Sequence, residues 1–283
     1  MNKYGHETNP VGINSREFIW TDSDFTKVQS LIYQRAGINL HDGKHAMVYS
    51  RLSRRLRETG YKSFKDYLIW LEGNNDGREW QEFINALTTN LTSFFRERHH
   101  FEILEDYLRS GHHKGNLQIW CSASSTGEEP YSILMTALDA LNHQSKLKLI
   151  ASDIDSNVLA TAAQGIYHVD DLGNVAPEQM KVYFLRGKDS NKGMARVKSE
   201  YRNMIQFMTV NLVEDNWSFQ GLFDVVFCRN VMIYFDGATQ RKVLERIHRV
   251  MAPGGLLFVG HAENFTESRD LFVLKGKTVY EHR

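Results

Sequence analysis

Residues Leu117–Pro130, with the sequence LQIWCSASSTGEEP, decide how the larger part of the chain folds. Their first segment, Leu117–Cys121, is mostly apolar and is followed at once by small residues, then by two glutamates and a proline. Small residues let a backbone approach a ligand closely, and proline suits the first turn of a helix. The stretch therefore predicts a strand, a ligand-binding turn and a helix.

The same alternation of strand and helix patterns continues towards the end of the chain. Apolar runs predict further strands over residues 148–152, 205–210, 223–228, 256–260 and 278–281. Helical patterns predict helices over residues 130–141, 157–164 and 239–251. Continuous apolar strands that are separated by helices indicate an α/β fold with a doubly wound, mostly parallel sheet. In such a sheet the ligand binds beyond the carboxyl ends of the strands.

One segment interrupts this alternation, at about residues 166–204. It carries Gly187 and Gly193, with strand-like patterns over Lys181–Leu185 and Met194–Val197. Glycine between two such runs is typical of a tight antiparallel connection. We therefore predict a small antiparallel β-subdomain that is inserted into the larger domain.

The N-terminal third has a different pattern, with apolar residues at helical spacing. Several segments between residues 20 and 90 repeat this spacing, and the first helix is expected to be capped by Asp22 or Ser23. We predict an all-α domain over residues 1–90, followed by the α/β domain over residues 91–283.

Composition excludes several classes of protein. The 283 residues are 42% hydrophobic, which is enough for a sizeable core, and 34 basic residues balance 34 acidic ones. A chain without net charge is not expected to bind nucleic acid through its whole surface. Two cysteines cannot form a disulfide framework, no apolar run approaches the ~18 residues of a membrane span, and the start does not resemble a signal peptide. We therefore expect a cytoplasmic protein with free thiols and no membrane insertion.

The turn after the first strand lacks the G-x-G-x-x-G spacing of dinucleotide-binding folds. It carries Glu128 and Glu129 where such a site would present bare amides to a pyrophosphate. A carboxylate near a helix N-terminus is also stabilised by the helix dipole, so simple capping would explain Glu129 as well. The functional alternative is a carboxylate that faces a cation or a ligand without phosphate.

The second predicted strand ends in Ala151–Asp155, ASDID, which places two more carboxylates at the same edge of the sheet. An acid at this position commonly accepts hydrogen bonds from the hydroxyls of a ribose. Asp153 is favoured for that role because Asp155 is better placed to cap the next helix. A ribose-binding acid without a phosphate cradle favours S-adenosylmethionine over NAD, because that cofactor has a ribose and a sulfonium but no pyrophosphate.

Further polar residues follow the next two strands. Asn211 and Leu212 come after the third strand, and Arg229 and Asn230 come after the fourth, with Tyr234 one helical turn further. For the two asparagines the alternative role is turn stabilisation through side-chain hydrogen bonds. All of these residues are expected in the crevice at the carboxyl edge of the sheet.

Taken together, these segments resemble the chemotaxis receptor methyltransferases of the CheR type. The segments that carry the resemblance are TTNLTSFFRE (88–97), STGEEPYS (125–132), ASDID (151–155), the aligned pair Asn211-Leu212, FCRNVMIYFD (227–236) and PGGLLFVGHAENF (253–265). By itself, TTNLTSFFRE would equally be interpreted as an interdomain hinge with a hydrophobic plug. The resemblance covers nearly the whole chain and implies a Rossmann-like S-adenosylmethionine-dependent methyltransferase domain with a small β-subdomain insert and an N-terminal all-α domain.

The resemblance implies an enzyme that methylates glutamate side chains on the cytosolic helices of transmembrane chemoreceptors, for chemotactic adaptation. S-adenosylmethionine would be the methyl donor and S-adenosylhomocysteine the product. Arg96 and Tyr234 would face the reacting centre as catalytic residues. For Arg96 there are two alternatives, in which it holds the carboxylate of the substrate or that of the cofactor. The residues implied in cofactor binding are Asn90, Thr92, Arg96, Glu129, Asp153, Asn211, Leu212, Arg229 and Asn230.

A basic segment is the first candidate surface for the receptor. Residues 35–65 carry eight basic residues against two acidic ones in a chain without net charge. The arginines of the predicted second helix are Arg51, Arg54, Arg55 and Arg57. An acidic receptor helix would suit this surface, although a solvated basic face is the simpler explanation.

The inserted β-subdomain is the second candidate surface. Its free strand edge resembles one that some relatives use to capture the receptor's C-terminal tail by strand addition. Gly187 and Gly193 would shape its turns. A purely structural insert is the alternative.

No metal site is predicted, because His99–His100 and His112–His113 are adjacent pairs rather than i, i+4 pairs on one helix face. Cys121 and Cys228 are interpreted as packing thiols.

Two other functional classes remain for comparison. An NAD-type oxidoreductase would require the missing glycine motif, and a non-catalytic receptor-binding module would have no need of the residues implied at the reacting centre.

Overall fold

A computed structural model gives the fold of the chain. It describes residues 17–74, 77–111, 116–142, 146–265 and 268–283. Within these ranges a group of helices precedes an α/β domain, and the two pack against each other along the carboxyl edge of the main sheet.

The N-terminal helices pack around their own apolar core. They are α1 (Asp22–Ala36), α2 (His45–Thr59), α3 (Phe64–Gly73) and α4 (Gly77–Leu87). Val48, Leu52 and Leu56 form one stripe of α2 and are fully buried in this core. Burial of such stripes stabilises helices of this length, which are marginal in isolation.

α1 begins at a different cap from the predicted one. Thr21 is the N-cap: its hydroxyl accepts a hydrogen bond from the Asp24 N–H (3.2 Å), and the Asp24 carboxylate accepts one from the Thr21 N–H (3.0 Å). This reciprocal arrangement is a capping box. The prediction of Asp22 or Ser23 as the cap is wrong, because both already lie in the first helical turn.

The α/β domain contains the remaining elements. They are α5 (His99–Arg109), β1 (Leu117–Cys121), α6 (Glu128–Ala140), β2 (Leu147–Asp153), α7 (Ser156–Gln164), β3 (Ile166–His168), α8 (Pro177–Tyr183), β4 (Phe184–Arg186), β5 (Met194–Val197), α9 (Ser199–Arg202), β6 (Ile205–Thr209), β7 (Phe223–Cys228), α10 (Gly237–Val250), β8 (Met251–Val259), β9 (Phe272–Gly276) and β10 (Val279–His282). Among the residues that the structure describes, no helix combines the length and the apolar character needed to cross a bilayer.

In the described ranges, seven strands form the main sheet, in the order β6-β2-β1-β7-β8-β10-β9. The strands from β6 to β8 in this order are parallel, and β10 is antiparallel to both of its neighbours. This confirms the predicted doubly wound, mostly parallel sheet. The chain reverses its direction of winding between β1 and β7, where Cys121 lies opposite Phe227, and a crevice opens at such a point. Cys121 and Cys228 are buried free thiols that pack into different cores.

Several details of the α/β domain differ from the prediction, and β3, α5 and α9 have no counterpart in it. The predicted strand Lys181–Leu185 is wrong in its first part, because Pro177 opens α8 and β4 begins only at Phe184. Met251 starts β8 instead of ending the preceding helix. β9 has no counterpart in the prediction, since Phe272 is its only buried residue and the apolar pattern is weak.

Within residues 166–204 the chain forms a second sheet, with three antiparallel strands in the order β3-β5-β4. Gly187 and Gly193 lie in the connection from β4 to β5, where the Gly187 N–H donates to the Met194 carbonyl (2.8 Å). A side chain at Gly187 would meet the carbonyl oxygen of Asn191 at 2.1 Å, so the turn requires glycine there. β3 and β4 are the free edges of this sheet.

Candidate active site

A cavity of about 270 Å³ opens at the carboxyl ends of β1, β2, β6 and β7. The helical domain supplies its other wall, from the end of α1 to Met47 and from the segment after α4. The predicted cofactor-binding and catalytic residues all line this cavity: Asn90, Thr92, Arg96, Glu129, Asp153, Asn211, Leu212, Arg229, Asn230 and Tyr234. The fold thus brings them together, while the group that each one binds stays a prediction.

The turn between β1 and α6 has few amide groups left for a ligand. The Ser124 N–H donates to the Ser152 carbonyl (2.8 Å), and the Ser125 N–H donates to a carboxylate oxygen of Asp153 (2.8 Å). A diphosphate is normally held by free N–H groups of such a turn. The geometry therefore favours a ligand without phosphate, as the sequence predicts.

Asp153 and Asp155 have different surroundings. Asp155 caps α7, since its carboxylate accepts a hydrogen bond from the Asn157 N–H (2.9 Å), and the predicted cap is confirmed. Asp153 is 8% exposed and accepts from the Ser125 and Asp155 N–H groups (2.8 and 3.0 Å). Burial raises the pKa of the Asp153 carboxyl, and these two N–H groups oppose the rise. Carboxylate oxygens accept more than one hydrogen bond each, so Asp153 keeps the capacity to bind hydroxyl groups.

Glu129 and Arg229 form a buried ion pair on the cavity wall. Arg229 Nη1 donates to Glu129 Oε2 (2.6 Å), and Nη2 lies 3.2 Å from Glu97 Oε2. The second oxygen of Glu129 accepts from the Cys121 thiol (3.4 Å). Burial raises the pKa of the Glu129 carboxyl, and the charge of Arg229 opposes that rise. Glu129 also lies in the first turn of α6, where the helix dipole stabilises a carboxylate, although it makes no side-chain cap hydrogen bond.

The backbone on both sides of Arg96 is strained. Phe95 (φ 51°) and Glu97 (φ 56°) both lie in the left-handed region, where a residue with a side chain costs about 1–3 kcal/mol and tends to mark a functional site. The Arg96 carbonyl accepts from Arg229 Nη2 (2.7 Å), and Arg96 Nη1 donates to the Leu91 carbonyl (2.9 Å). These contacts hold the half-buried guanidinium at the cavity wall.

The segment after β7 carries Asn230 and Tyr234. Asn230 is left-handed (φ 57°), and Tyr234 ends a 3₁₀ turn that begins at Met232. The Tyr234 carbonyl accepts from the Asn39 N–H of the helical domain (2.8 Å). Glu263 accepts hydrogen bonds from backbone N–H groups of this segment. The sequence does not predict this role of Glu263, because a carboxylate that binds backbone donors leaves no spacing pattern.

Asn90 and Asn211 connect the two domains. Asn90 Nδ2 donates to Asp155 Oδ2 (2.8 Å), and Asn211 Nδ2 donates to the Arg35 carbonyl at the end of α1 (2.7 Å). Asn211 Oδ1 also accepts from the Val213 N–H (3.2 Å), so the alternative role in turn stabilisation is correct for this residue. Both side chains therefore hold the cavity wall together as well as lining it.

The four arginines of α2 do not form a uniform basic surface. Arg55 turns inwards: its side chain is 14% exposed and pairs with Glu79 (Nη2 to Oε2, 2.5 Å). Arg51 donates to a backbone carbonyl just after α4 (2.5 Å). The side chains of Arg54 and Arg57 are 79% and 56% exposed. The predicted surface is corrected accordingly, because Arg55 stabilises the helical domain instead of presenting a free cation.

The structure brings together a group that sequence spacing did not indicate. Glu97, His99 and His100 place one ligand atom each within 4.8 Å of one another. In the sequence the two histidines are an adjacent pair, and their spacing does not point to the carboxylate of Glu97. Arg229 already lies against Glu97, so the charge of this carboxylate is balanced by a guanidinium. The pair His112–His113 lies outside the described residues.

Comparison with known proteins covers most of the chain. The family model "CheR methyltransferase, all-alpha domain" matches residues 23–88, and "CheR methyltransferase, SAM binding domain" matches residues 90–280. The chemotaxis protein methyltransferase of Salmonella typhimurium is 50% identical over 261 residues, which cover 92% of this chain and 90% of that protein. The protein of the same name from Klebsiella aerogenes is 52% identical over 262 residues (92% and 89%). Chemotaxis protein methyltransferase 2 of Pseudomonas aeruginosa is 47% identical over 268 residues (94% and 95%).

Proposed function

The chain belongs to the CheR methyltransferase family, and we propose that it transfers methyl groups from S-adenosylmethionine to glutamate side chains of chemoreceptors. The products would be glutamyl methyl esters and S-adenosylhomocysteine, and the modification would serve chemotactic adaptation. The observation that carries the proposal is the cavity that joins Arg96, Glu129, Asp153 and Tyr234 at the carboxyl edge of the sheet. A non-catalytic receptor-binding module would gain nothing from this arrangement.

The residues around the cavity fit S-adenosylmethionine. The carboxylates of Glu129 and Asp153 can accept hydrogen bonds from ammonium and hydroxyl groups, and a guanidinium can hold a carboxylate. The engaged amides of the β1–α6 turn suit a ligand without diphosphate. When bound, this cofactor supplies a methyl group on a positively charged sulfur. The residues proposed to hold it are Asn90, Thr92, Glu129, Asp153, Asn211, Leu212 and Asn230.

Arg229 is proposed to act through its neighbours. Its side chain is fully buried and donates to the Glu129 carboxylate and to the Arg96 carbonyl. A buried cation with these partners fixes the position of two residues of the site at once. We therefore assign to Arg229 the orientation of Glu129 and of the turn that carries Arg96.

The acceptor glutamate needs no general base. Its unperturbed pKa is about 4.3, so at neutral pH it is already a carboxylate nucleophile. The remaining task is alignment, which can supply about 7–11 kcal/mol in the best cases. Arg96 would hold the incoming carboxylate by charge-assisted hydrogen bonds, and it cannot act as a base because its guanidinium stays protonated. Within the described residues the Tyr234 hydroxyl has no hydrogen-bond partner, so it is available to the substrate.

We propose that residues 1–90 act as a domain that closes the cavity over the α/β domain, residues 91–283. Asn211 donates to the Arg35 carbonyl at the end of α1 (2.7 Å), and the Tyr234 carbonyl accepts from the N–H of Asn39, just after that helix (2.8 Å). Gln81 Nε2 of α4 donates to the carbonyl of Ile154, which also lines the cavity (2.7 Å). Such a cover would exclude water from the reacting groups.

The exposed side of α2 is proposed to dock an acidic receptor helix. Arg54 and Arg57 would make the contacts, while Arg51 and Arg55 would keep α2 in place. Arg54 and Arg57 pair with surface glutamates, and exposed pairs of this kind contribute only about 0–1 kcal/mol. A receptor carboxylate can therefore compete for them. Because the receptor segments in question are cytosolic, we also propose a cytoplasmic location.

The outer edge of β4 is proposed to bind the receptor's C-terminal tail. Within the described part of the chain β4 pairs with β5 alone, and Leu185 on this strand is 55% exposed. An extended peptide can add a strand to such an edge through main-chain hydrogen bonds, with side-chain contacts supplying specificity. The exposed Arg186 favours an acidic tail, and Gly187 and Gly193 would define the end of the binding edge. The backbone of Tyr183 and Gly187 bonds to β5 or to the residue that follows it, so the alternation of an antiparallel ladder turns the N–H of Arg186 towards the outer edge. Arg186→Pro would remove this backbone donor and should abolish capture of a tail peptide while sparing cofactor binding.

Two measurements test the proposed function. The protein is incubated with labelled S-adenosylmethionine and a cytosolic receptor fragment, and the product is treated with mild base. Release of labelled methanol identifies a carboxyl ester, whereas no transfer, or a label that resists base, would reject glutamate methylation. Calorimetry with S-adenosylhomocysteine and with NAD separates this activity from an oxidoreductase: binding of NAD alone would reject the methyltransferase.

A further inference from the structure

Glu263 is a buried carboxylate whose partners, in the part of the chain that the structure describes, are backbone N–H groups. It is 4% exposed. One of its oxygens, Oε2, accepts from the N–H groups of Asn230 (3.0 Å) and Gly260 (2.5 Å). The other, Oε1, accepts from those of Met232 (2.8 Å) and Ile233 (3.4 Å). No basic side chain forms an ion pair with it among the residues that the structure describes.

This arrangement suits a carboxylate and no other side chain of the same length. Burial raises the pKa of the Glu263 carboxyl, and the four backbone N–H groups oppose that rise. Inward-pointing N–H groups of this kind form an anion-binding concavity. Glutamine has the same shape but one acceptor oxygen, so its amide N–H₂ would face two of the N–H donors. Both carboxylate oxygens are therefore needed to satisfy the segment.

The segment that Glu263 holds is the one that carries two predicted site residues. Three of the four N–H donors belong to residues 230–233, between β7 and Tyr234. Asn230 in this segment has a left-handed backbone, and Tyr234 follows the last donor directly. We propose that Glu263 is a positioning residue that fixes Asn230 and Tyr234 at the methyl-transfer site. The catalytic role of Tyr234 in this inference rests on the proposed function. The way in which Glu263 holds the segment does not depend on it.

Close packing makes the position of Asn230 sensitive to this contact. A Cβ atom on Gly260 would lie 2.4 Å from Asn230 Nδ2 and 2.9 Å from the Asn230 N. Glu97 Oε1 accepts from Asn230 Nδ2 at 3.5 Å on the other side. Asn230 therefore has no room to shift towards Gly260 when its backbone partner is lost, and displacement must move the segment away from β8.

The test compares Glu263→Gln with Asp224→Asn. Asp224 also accepts a backbone N–H, from Gln118 (2.8 Å), but it lies at the opposite, amino end of β7. Amide hydrogen exchange is measured on both full-length variants without cofactor. In Glu263→Gln, the amides of residues 230–234 should exchange at least about 10-fold faster than in the wild type, because exchange reports local opening. In Asp224→Asn they should exchange at the wild-type rate.

Kinetics and binding supply the second measurement. Glu263→Gln should lower kcat by about 10–100-fold, since small misplacements of reacting groups have effects of this size. Its KM for the receptor fragment should stay within about twofold, because the docking surfaces lie elsewhere. The loss should largely disappear in a Tyr234→Phe background, as expected for residues that act through one another. Affinity for S-adenosylhomocysteine, measured by calorimetry, should also fall.

Unchanged exchange over residues 230–234, or an equal loss of kcat in the wild-type and Tyr234→Phe backgrounds, would overturn the proposal. If Glu263→Gln does not fold, Gly260→Ala is used instead: its Cβ would crowd both Asn230 and Glu263 Oε2 (2.9 Å) and so disturb the same contact. Wild-type exchange and turnover in that variant would overturn the proposal as well. Because exchange is measured without substrate, it decides the role of Glu263 even if the wild-type protein methylates no receptor fragment.

Discussion

Replacement of Gly37 by alanine should weaken the contact between the helical domain and the cavity. Gly37 ends α1 in the left-handed conformation (φ 69°), and a Cβ atom there would lie 2.5 Å from Val213 Cγ1 and 3.2 Å from Thr239 Cγ2 of the α/β domain. Gly60 ends α2 in the same conformation (φ 82°), but nothing lies within 4 Å of its Cβ position. The two glycines form a matched pair that differs in its neighbours.

The expected cost follows from two contributions. A left-handed conformation costs a residue with a side chain about 1–2 kcal/mol. Replacing glycine by alanine also lowers the conformational entropy of the unfolded chain, which offsets about 0.4–1 kcal/mol of that cost. Gly60→Ala should therefore lower the free energy of unfolding by about 1 kcal/mol. Gly37→Ala adds an overpacking cost of about 1–3 kcal/mol, because Val213 must move. We expect a total of about 2–4 kcal/mol for Gly37→Ala.

Urea unfolding and calorimetry with S-adenosylhomocysteine measure the two consequences. The residues around Gly37 hold the cavity: the Arg35 carbonyl accepts from Asn211, and the Asn39 N–H donates to the Tyr234 carbonyl. We expect affinity for S-adenosylhomocysteine to fall about tenfold in Gly37→Ala, or about 1.4 kcal/mol, and to stay within about twofold in Gly60→Ala. Equal destabilisation of the two variants, with equal affinities, would refute the packing argument.

Arg96→Ala should lower methyl transfer well beyond about 10-fold, and near-normal labelling of receptor by the folded variant would remove Arg96 from the site. His100 is buried and its pKa is lowered to about 4, mainly by burial and then by the charge of Arg229. The stability that the neutral His100 contributes is therefore complete above about pH 6.5 and is lost as the pH falls towards 4. In the wild type the free energy of unfolding should fall with decreasing pH in this window. In His100→Gln the slope of that fall, measured by urea unfolding at several pH values, should be smaller by up to about 1.4 kcal/mol per pH unit. Parallel curves for the two proteins would contradict this. Receptor methylation should fall steeply with added salt, and Arg54→Ala with Arg57→Ala should remove most of that dependence; a flat response of the wild type would contradict the proposed docking surface.

The main sheet is predictable because its central strands are buried on both faces. β1 and β7 carry nearly continuous apolar runs, and these patterns are strong even without an alignment. β9 lies at the edge of the sheet, where only Phe272 is buried, so little in its composition distinguishes it from a loop. The same limit applies to α8, where the helix is signalled by Pro177 and not by an apolar stripe.

The residues that line the cavity are predictable for a topological reason. The carboxyl ends of parallel strands meet at one edge, so polar residues such as Asp153, Asn211 and Arg229 converge although they are distant in the chain. Glu97 and Glu263 are not predictable in this way. Their partners are a guanidinium and a set of backbone N–H groups, and these donors acquire a common direction only in the folded chain.

The arginines of α2 show why segment charge overstates a docking surface. Successive residues of an α-helix point about 100° apart, so the neighbours Arg54 and Arg55 face different surroundings. Arg55 reaches Glu79 on α4, while the side chain of Arg54 stays 79% exposed. Spacing along the chain gives the direction of each side chain relative to its own helix. Which side of α2 is covered by another helix is decided by the tertiary fold. Of the four arginines on α2, only Arg54 and Arg57 have side chains that are more than half exposed in this structure. A receptor that docks here should therefore lose contacts with these two cations when salt is added, and the segment's net charge predicts a steeper dependence than the folded surface does.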